Sequence, residues 1–283
     1  MKIGVNTWVW TSPFCTRDFH LIPKVKQMGF DVLEVALEDA SIIDAKLLRK
    51  MAMDNGLSVT VCGAFGPTRD ISNEDPAIRK NGADYIRESI RFAEQVGSGL
   101  FSGPVYSAVG KTRLIPDEQK KREWAWCVEN LREVGKAATD AGVTIGVEPL
   151  NRFETDMINL VEQAVKLVRE VDSPAYKIHL DTFHANIEEK SIPGTIRKLG
   201  KGMLGHFHAC ENDRGTPGTG HQDWNGIRDA LRDVEYNGAA VIESFTPGAV
   251  EIAKAASISA AVRGPSENTG GFLTTQLCSI MPL

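Results

Sequence analysis

The sequence predicts an α/β protein whose fold is a single-domain (β/α)8 barrel, the TIM barrel. Eight short apolar or β-branched runs recur along the chain, and the segments between them carry apolar residues at the three- and four-residue spacing of helices. Dividing 283 residues by eight gives about 35 residues for each βα unit, which suits a barrel of roughly 250 residues with modest loop insertions. The middle of the chain holds no Pro-, Gly- or Ser-rich linker, so one domain is favoured over two.

The predicted strands are residues 3–8, 32–36, 58–62, 99–102, 144–148, 177–181, 203–208 and 240–243. The clearest helical patterns between them are residues 83–96, 118–141, 159–171 and 226–234. A doubly wound sheet is the alternative for alternating strands and helices. It is disfavoured because Gly4 is followed by VNTWVW, with no glycine-rich phosphate-binding turn after the first strand.

The end of the chain departs from this rhythm. The barrel is expected to occupy residues 1–262, with 263–283 forming an atypical C-terminal tail in place of a regular closing helix. Gly264, Pro265, Gly270 and Gly271 interrupt any helical periodicity in the tail, and a helix interior loses about 1 kcal/mol for each glycine and about 3 for a proline. We expect a helix up to about Val262 and at most a short turn within 272–280.

Composition and charge exclude several classes of protein. The chain is 42% hydrophobic and 24% charged, which is typical of a folded globular domain and excludes a fibre or a disordered tail. Its 32 basic and 37 acidic residues give a net charge of -5 without any run of five Lys or Arg, so nucleic acid is a poor candidate partner. No apolar stretch of 18 residues and no signal-like N-terminus occurs, so we expect no membrane association. Five scattered cysteines without a C-x-x-C pair predict reduced thiols in a cytoplasmic protein.

Four chemistry-bearing residues stand at the ends of the last four predicted strands. They are Glu148, Asp181, His208 and Glu243, separated by 33, 27 and 35 residues, or close to one βα unit each. In a barrel such residues point into one mouth. Any one of the acids alone is more simply explained as a cap for the following helix. Helix capping does not explain why four such residues end four successive strands. Three converging carboxylates would repel one another unless a cation neutralised them, and this oxygen-rich set with one imidazole favours Mn²⁺ or Mg²⁺ over a thiolate-type zinc site.

The histidines are interpreted by their position. His206 and His208 share one face of a strand, and His208, nearer the strand end, is favoured as the ligand, with His206 beside it or in the core. His179 and His20 are expected to have structural or surface roles. The role of His221 stays open.

Four stretches carry a family resemblance. VEPLNRFE (147–154), IHLDTFHANIEE (178–189), GHFHACENDR (205–214) and VIESF (241–245) resemble the D-tagatose 3-epimerase family of ketose 3-epimerases, which includes D-allulose and L-ribulose 3-epimerases. The resemblance extends from the first strand to about Val262. It implies a xylose isomerase-like (β/α)8 barrel, one divalent ion per chain, commonly Mn²⁺ with Mg²⁺ or Co²⁺ possible, and a homodimer or homotetramer.

Residue by residue, the resemblance implies a metal site of the same four residues selected by strand-end spacing. It also implies that Glu154, His184 and Arg214 hold the oxygens of the sugar, although each of the three, taken from the sequence alone, is more simply a solvated loop residue. The family's reaction is the epimerisation of a free ketose at C3 through an enediolate. Glu148 and Glu243 are then the acid and base on opposite faces of the carbon.

Three other functions compete with this one. An aldose-ketose isomerase on the same barrel would move the proton between C1 and C2. A metal-dependent endonuclease is disfavoured because it would need more histidine ligands and a basic surface. A non-enzymatic sugar-binding protein would be expected to lose one of the two candidate bases, and both glutamates are present.

Overall fold

Eight parallel strands close into a barrel in the computed structural model, which describes residues 1–244. Each strand pairs with the next along the chain, and the first also pairs with the last, with Lys2 opposite Ala239 and Val5 opposite Ile242. This closure excludes the doubly wound sheet and confirms the predicted barrel. The strands are β1 (Lys2–Asn6), β2 (Val32–Leu37), β3 (Ser58–Gly63), β4 (Leu100–Gly103), β5 (Thr144–Val147), β6 (Tyr176–Asp181), β7 (Leu204–Ala209) and β8 (Ala239–Ile242).

Helices cover the outside of the barrel. They are α1 (Leu21–Gln27), α2 (Ala45–Asp54), α3 (Pro76–Val96), α4 (Asp117–Ala141), α5 (Val161–Val171), α6 (Thr182–Glu188), α7 (Ile192–Leu199) and α8 (Trp224–Asp233). The four clearest predicted helices correspond to α3, α4, α5 and α8, and α3 begins seven residues earlier than predicted because Pro76 occupies its first turn and Asp75 caps it. None of the helices described is long and apolar enough to cross a membrane.

The eight predicted strands are all present, with one informative difference at the first. It ends at Asn6 instead of Trp8, because Thr7–Val9 forms a turn of 3₁₀ helix. The side-chain oxygen of Asn6 accepts a hydrogen bond from the Trp8 backbone nitrogen at 2.9 Å and so caps that turn. The polar side chain of Asn6 is thereby held at the end of β1.

Helices α3 and α4 each end on a left-handed glycine that aims the chain into the next strand. Gly97 has φ of 77° after α3, and Gly142 has φ of 65° after α4. An L side chain is unfavourable in that conformation. β4 and β5 therefore start at fixed positions in the barrel wall.

Small residues make space inside the barrel. A Cβ atom added at Gly146 would stand 3.0 Å from the Cβ of Ser102 and 3.2 Å from the Cβ of His179. Gly146 therefore faces the interior next to these two polar residues. The space inside the barrel next to Gly146 is therefore lined by polar side chains. Apolar side chains such as those of Phe101 and Phe207 form the hydrophobic core.

The expected final helix up to Val262 and the expected tail 263–283 lie outside the described residues.

Candidate metal and active site

The four residues selected by strand-end spacing meet at the C-terminal mouth of the barrel. Asp181 is the last residue of β6 and is paired in register with His208 of β7, while Glu148 and Glu243 directly follow β5 and β8. All four are buried, and one ligand atom from each lies within 4.8 Å of those of the others. Because parallel strands end at the same edge of the sheet, the backbone alone brings them together.

His208 presents one ring nitrogen to the carboxylates. Its Nδ1 atom lies 3.3 Å from Glu243 Oε2 and 3.8 Å from Asp181 Oδ2, but makes no hydrogen bond of acceptable geometry. A buried ring nitrogen without a partner is unusual and requires an explanation. A cation held between the imidazole and the carboxylates would supply the missing partner.

The charge balance of the cluster also fits a divalent ion. Arg214, from the loop after β7, donates from Nη1 to Asp181 Oδ2, and its Nη2 lies 3.2 Å from Glu243 Oε2. With the three carboxylates ionised and His208 neutral, as metal ligands must be, one guanidinium leaves two negative charges in a buried site. Oxygen donors with one imidazole are a donor set for a hard or borderline cation such as Mn²⁺ or Mg²⁺. The cluster can therefore hold one divalent ion.

The neighbouring charges shift the ionisation of the cluster strongly. Burial, and then the adjacent carboxylate of Glu243, raise the pKa of Glu148 well above its ordinary value. Burial would also raise the pKa of Asp181, but the Arg214 guanidinium outweighs it and holds that pKa well below the ordinary value. Burial would lower the pKa of His208, yet the carboxylates of Glu243 and Glu34 raise it well above normal. Such divergent environments are typical of functional sites.

Asp181 also caps the helix that follows it, as the simpler explanation of an acid at a strand end predicts. Its Oδ1 atom accepts a hydrogen bond from Phe183 N at 2.6 Å and caps α6, while its Oδ2 atom faces the cluster. One carboxylate therefore serves both the helix and the site.

The structure brings Glu154, His184 and Arg214 to the same mouth. All three are buried, so the interpretation of each as a solvated loop residue is wrong. His184 Nε2 lies 4.0 Å from Glu148 Oε1 and 3.4 Å from Arg214 Nη2. The Arg214 guanidinium is held 4.6 Å above the ring of Phe183, from a backbone with φ of 66°, which is uncommon for a residue other than glycine.

Glu211 organises the loop that carries Arg214. Its carboxylate accepts hydrogen bonds from Trp224 Nε1 at 2.8 Å, from Gly218 N at 2.8 Å and from Gln222 N at 3.0 Å. Burial alone would raise the pKa of Glu211, but these bonds lower it. The buried carboxylate fixes the course of the loop and thereby the position of the guanidinium.

The remaining histidines divide as follows. His179 and His206 are buried inside the barrel, with ring centroids 4.1 and 4.9 Å from that of His208. His20 and His221 are exposed. The exposure of His20 and the burial of His179 and His206 agree with the predictions, and His221 lies at the surface of the loop after β7.

The described cysteines are thiols, as predicted. Cys15, Cys62, Cys127 and Cys210 are free and buried. Burial raises the pKa of Cys62 and Cys210, the two nearest the site, well above the ordinary value. These two thiols stay protonated and are poor nucleophiles.

Three polar residues at the site escaped the sequence analysis. Asn151 donates from Nδ2 to Glu154 Oε1 at 2.8 Å and lies 2.8 Å from His184 Nδ1. Glu34 contacts His208, and Asn6 donates to Glu34 at 3.1 Å. A signal did exist for Glu34, since a lone carboxylate inside the apolar run VLEVAL must find partners if that strand is buried. Asn6 and Asn151 give no such signal, because asparagine at a strand end or in a loop is ordinary.

Comparison with known proteins defines the class of this barrel. Residues 22–263 match the family described as xylose isomerase-like TIM barrel. A D-psicose 3-epimerase of Ruminiclostridium cellulolyticum is 38% identical over 250 residues, which cover 87% of this chain and 84% of the relative.

Solved structures of 3-epimerases have the same fold as this chain. A structure of an L-ribulose 3-epimerase has a TM-score of 0.93 and 26% identity, covering 99% of this chain and 94% of its own. A D-allulose 3-epimerase of Methylomonas sp. in complex with D-allulose has a TM-score of 0.91 and 26% identity, covering 99% and 96%. The chain therefore belongs to the ketose 3-epimerases within the xylose isomerase-like TIM barrels, and it is an isomerase.

Proposed function

We propose that this protein epimerises a free ketose at C3 with the help of one divalent ion. The observation that carries the proposal is the convergence of Glu148 and Glu243, from opposite ends of the β5–β8 arc, on one buried cluster with Asp181 and His208. Epimerisation needs a proton acceptor on one face of the carbon and a proton donor on the other. Two carboxylates on separate strands meet that need.

Glu148, Asp181, His208 and Glu243 would hold the ion, and we expect Mn²⁺, with Mg²⁺ or Co²⁺ as substitutes. When bound, the ion supplies a Lewis acid for the negative charge that develops on the ketose oxygens. The donor atoms this chain offers for it are three carboxylates and the unpartnered Nδ1 atom of His208.

The protein's own side chains carry the proton steps. One glutamate of the Glu148 and Glu243 pair removes the proton from C3, which leaves an enediolate. The other delivers a proton to the opposite face, and the roles exchange for the reverse epimer. Burial and then the neighbouring carboxylate of Glu243 raise the pKa of Glu148, which suits a side chain that must both accept and deliver a proton.

Glu154, His184 and Arg214 are proposed to hold the sugar. All three are buried; His184 lies beside Glu148 and Arg214 beside Glu243, while Asn151 links Glu154 to His184. Together they offer a carboxylate, an imidazole and a guanidinium to hydroxyl and carbonyl oxygens. They would orient the C2 and C3 oxygens and so place the C3 hydrogen between the two glutamates.

The relatives act on D-psicose, D-allulose and L-ribulose by name, and we propose a free ketose of this class as the substrate. The test is product analysis after incubation of the purified protein and Mn²⁺ with a panel of free ketoses. We expect the C3 epimer of at least one ketose and loss of turnover in excess EDTA. Formation of an aldose instead would identify an aldose-ketose isomerase, and full activity in EDTA would exclude the metal.

We also propose a homo-oligomer, a dimer or tetramer, in the cytoplasm. Leu114 is fully exposed and Phe153 is 72% exposed. The two lie on adjacent loops, since Arg113 bonds to Asp156 at 2.9 Å. Large exposed apolar side chains on adjacent loops suit a contact with a second copy. Light scattering should give a multiple of the 30.9 kDa chain mass, and a monomer would contradict the proposal.

A further inference from the structure

Glu34 is a carboxylate deep inside the barrel that the proposed chemistry does not use. It lies in the middle of β2 and is fully buried, and both of its carboxylate oxygens contact polar side chains. Its Oε1 atom lies 2.6 Å from His208 Nε2 and accepts from Asn6 Nδ2 at 3.1 Å. Its Oε2 atom lies 2.7 Å from His206 Nε2 and accepts from Thr60 Oγ1 at 3.0 Å.

The contact with His208 determines which ring nitrogen is available to a metal. A carboxylate accepts and does not donate, so the nitrogen facing Glu34 must carry the ring proton. In the neutral imidazole the lone pair then lies on Nδ1, the atom that faces Asp181 and Glu243 at 3.8 and 3.3 Å. The position of one carboxylate therefore sets both the tautomer and the orientation of the proposed ligand.

The same carboxylate reaches a second proposed ligand through Asn6. The Nδ2 atom of Asn6 lies 3.1 Å from Glu34 Oε1 and 3.5 Å from Glu243 Oε1. Asn6 is itself held by the hydrogen bond that its Oδ1 atom accepts from Trp8 N. Glu34 is thus linked to His208 directly and to Glu243 through a fixed amide.

We propose that Glu34 is a positioning residue for the metal centre, acting through His208 and, by way of Asn6, through Glu243. The inference rests on the proposed function, because it takes the four-residue cluster as a metal site. Carboxylates that bind the free nitrogen of a metal-bound histidine fix the ring and strengthen the site, and their loss costs about 10- to 100-fold in metal affinity or activity.

The test is the Mn²⁺ affinity of Glu34→Gln, measured by competition with a chelator. Glutamine is nearly isosteric but offers one acceptor oxygen where three hydrogen-bond donors now converge. We expect Mn²⁺ to bind about 10- to 100-fold more weakly, while turnover of the ketose recovers at saturating Mn²⁺. The matched control is Thr60→Val, which removes a contact to the other oxygen of Glu34 and leaves His208 untouched; its Mn²⁺ affinity should equal that of the wild type.

A second measurement does not depend on the variant's folding. In the Mg²⁺-loaded wild type, ¹⁵N spectra of the histidine rings should show His208 protonated at Nε2. Protonation at Nδ1, or wild-type affinity in Glu34→Gln, would overturn the inference alone. Failure of the wild-type protein to bind any divalent ion would overturn the proposed function first and the inference with it.

Discussion

Asn151 fixes the ring of His184 from the loop after β5. Its backbone nitrogen donates to His184 Nδ1 at 3.2 Å, and its side-chain nitrogen lies 2.8 Å from the same atom. A backbone N–H can only donate, so Nδ1 accepts and carries no proton, as in a neutral ring. Burial lowers the pKa of His184, which favours that neutral form. The opposite ring nitrogen, Nε2, lies 4.0 Å from Glu148 Oε1 and 3.4 Å from Arg214 Nη2, where we propose the ketose oxygens bind.

We expect Asn151→Ala to lower kcat/KM for the ketose about tenfold, because one hydrogen bond contributes about 1 kcal/mol and Nδ2 also holds Glu154. The backbone bond to His184 remains, so the loss should be partial. The measurement is steady-state kinetics on the preferred ketose. Asn130→Ala is the control, since Asn130 makes two hydrogen bonds to backbone oxygens of Ile71 and Trp126. Equal kinetic losses in both variants would contradict a role for Asn151 at the site.

Glu148→Gln and Glu243→Gln should each lower turnover by about 10²- to 10⁴-fold, the usual contribution of a general acid or base. Neither change alters side-chain volume much, so circular dichroism and melting temperature should show a folded barrel. Exchange of the C3 hydrogen with solvent reports the proton step itself. Normal exchange in either variant would show that the two-base assignment is wrong.

The barrel and the proposed ligands could be predicted because both depend on the period of the chain. Strand ends recur about once per βα unit in a barrel, so Glu148, Asp181, His208 and Glu243 follow from spacing once the strands are located. The contacts of Arg214 could not be predicted in this way. They depend on the loop that Glu211 organises and on a backbone with positive φ at Arg214 itself, and a loop's course has no periodicity to read.

The contacts of Glu34, in a strand, and of Asn151, in a loop, also do not follow from residue spacing. The burial of Glu34 follows from the apolar residues of β2, but its partners on β7 lie across the barrel interior and are fixed only by closure. Asn151 acts through hydrogen-bond geometry. Residue type and spacing carry no information on that geometry.

A buried ion-pair network ties together the loops around the mouth. Glu123 of α4 accepts from Arg113 Nη2 at 2.7 Å and lies 3.0 Å from Lys111 Nζ. Lys111 also lies 2.8 Å from Asp70, in the loop after β3. Burial would raise the pKa of Glu123, but the two cations outweigh it and lower that pKa below 4.5. Stability from this depressed pKa is present above the ordinary value and is lost as the pH falls through the folded value.

We therefore expect Glu123→Gln to lower the free energy of unfolding at pH 7 by about 1 to 3 kcal/mol. The difference from wild type should narrow as the pH falls below 4.5. Urea denaturation across this pH range is the measurement. Glu118→Gln, which removes an exposed pair with Lys121, should change little at any pH. If the free energy of unfolding lost in Glu123→Gln became larger as the pH fell, ionised Glu123 would not be the stabilising form.

The proposed reaction requires the pair of buried glutamates to move a proton at C3. The most direct measurement is ¹H NMR of D-allulose incubated with the Mn²⁺-loaded enzyme in D₂O, followed by removal of the ion. We predict that deuterium enters C3 of both epimers and that C1 keeps its hydrogens. Deuterium at C1, or epimer formed without any deuterium from solvent in a prolonged incubation, would contradict proton transfer at C3 by the two glutamates.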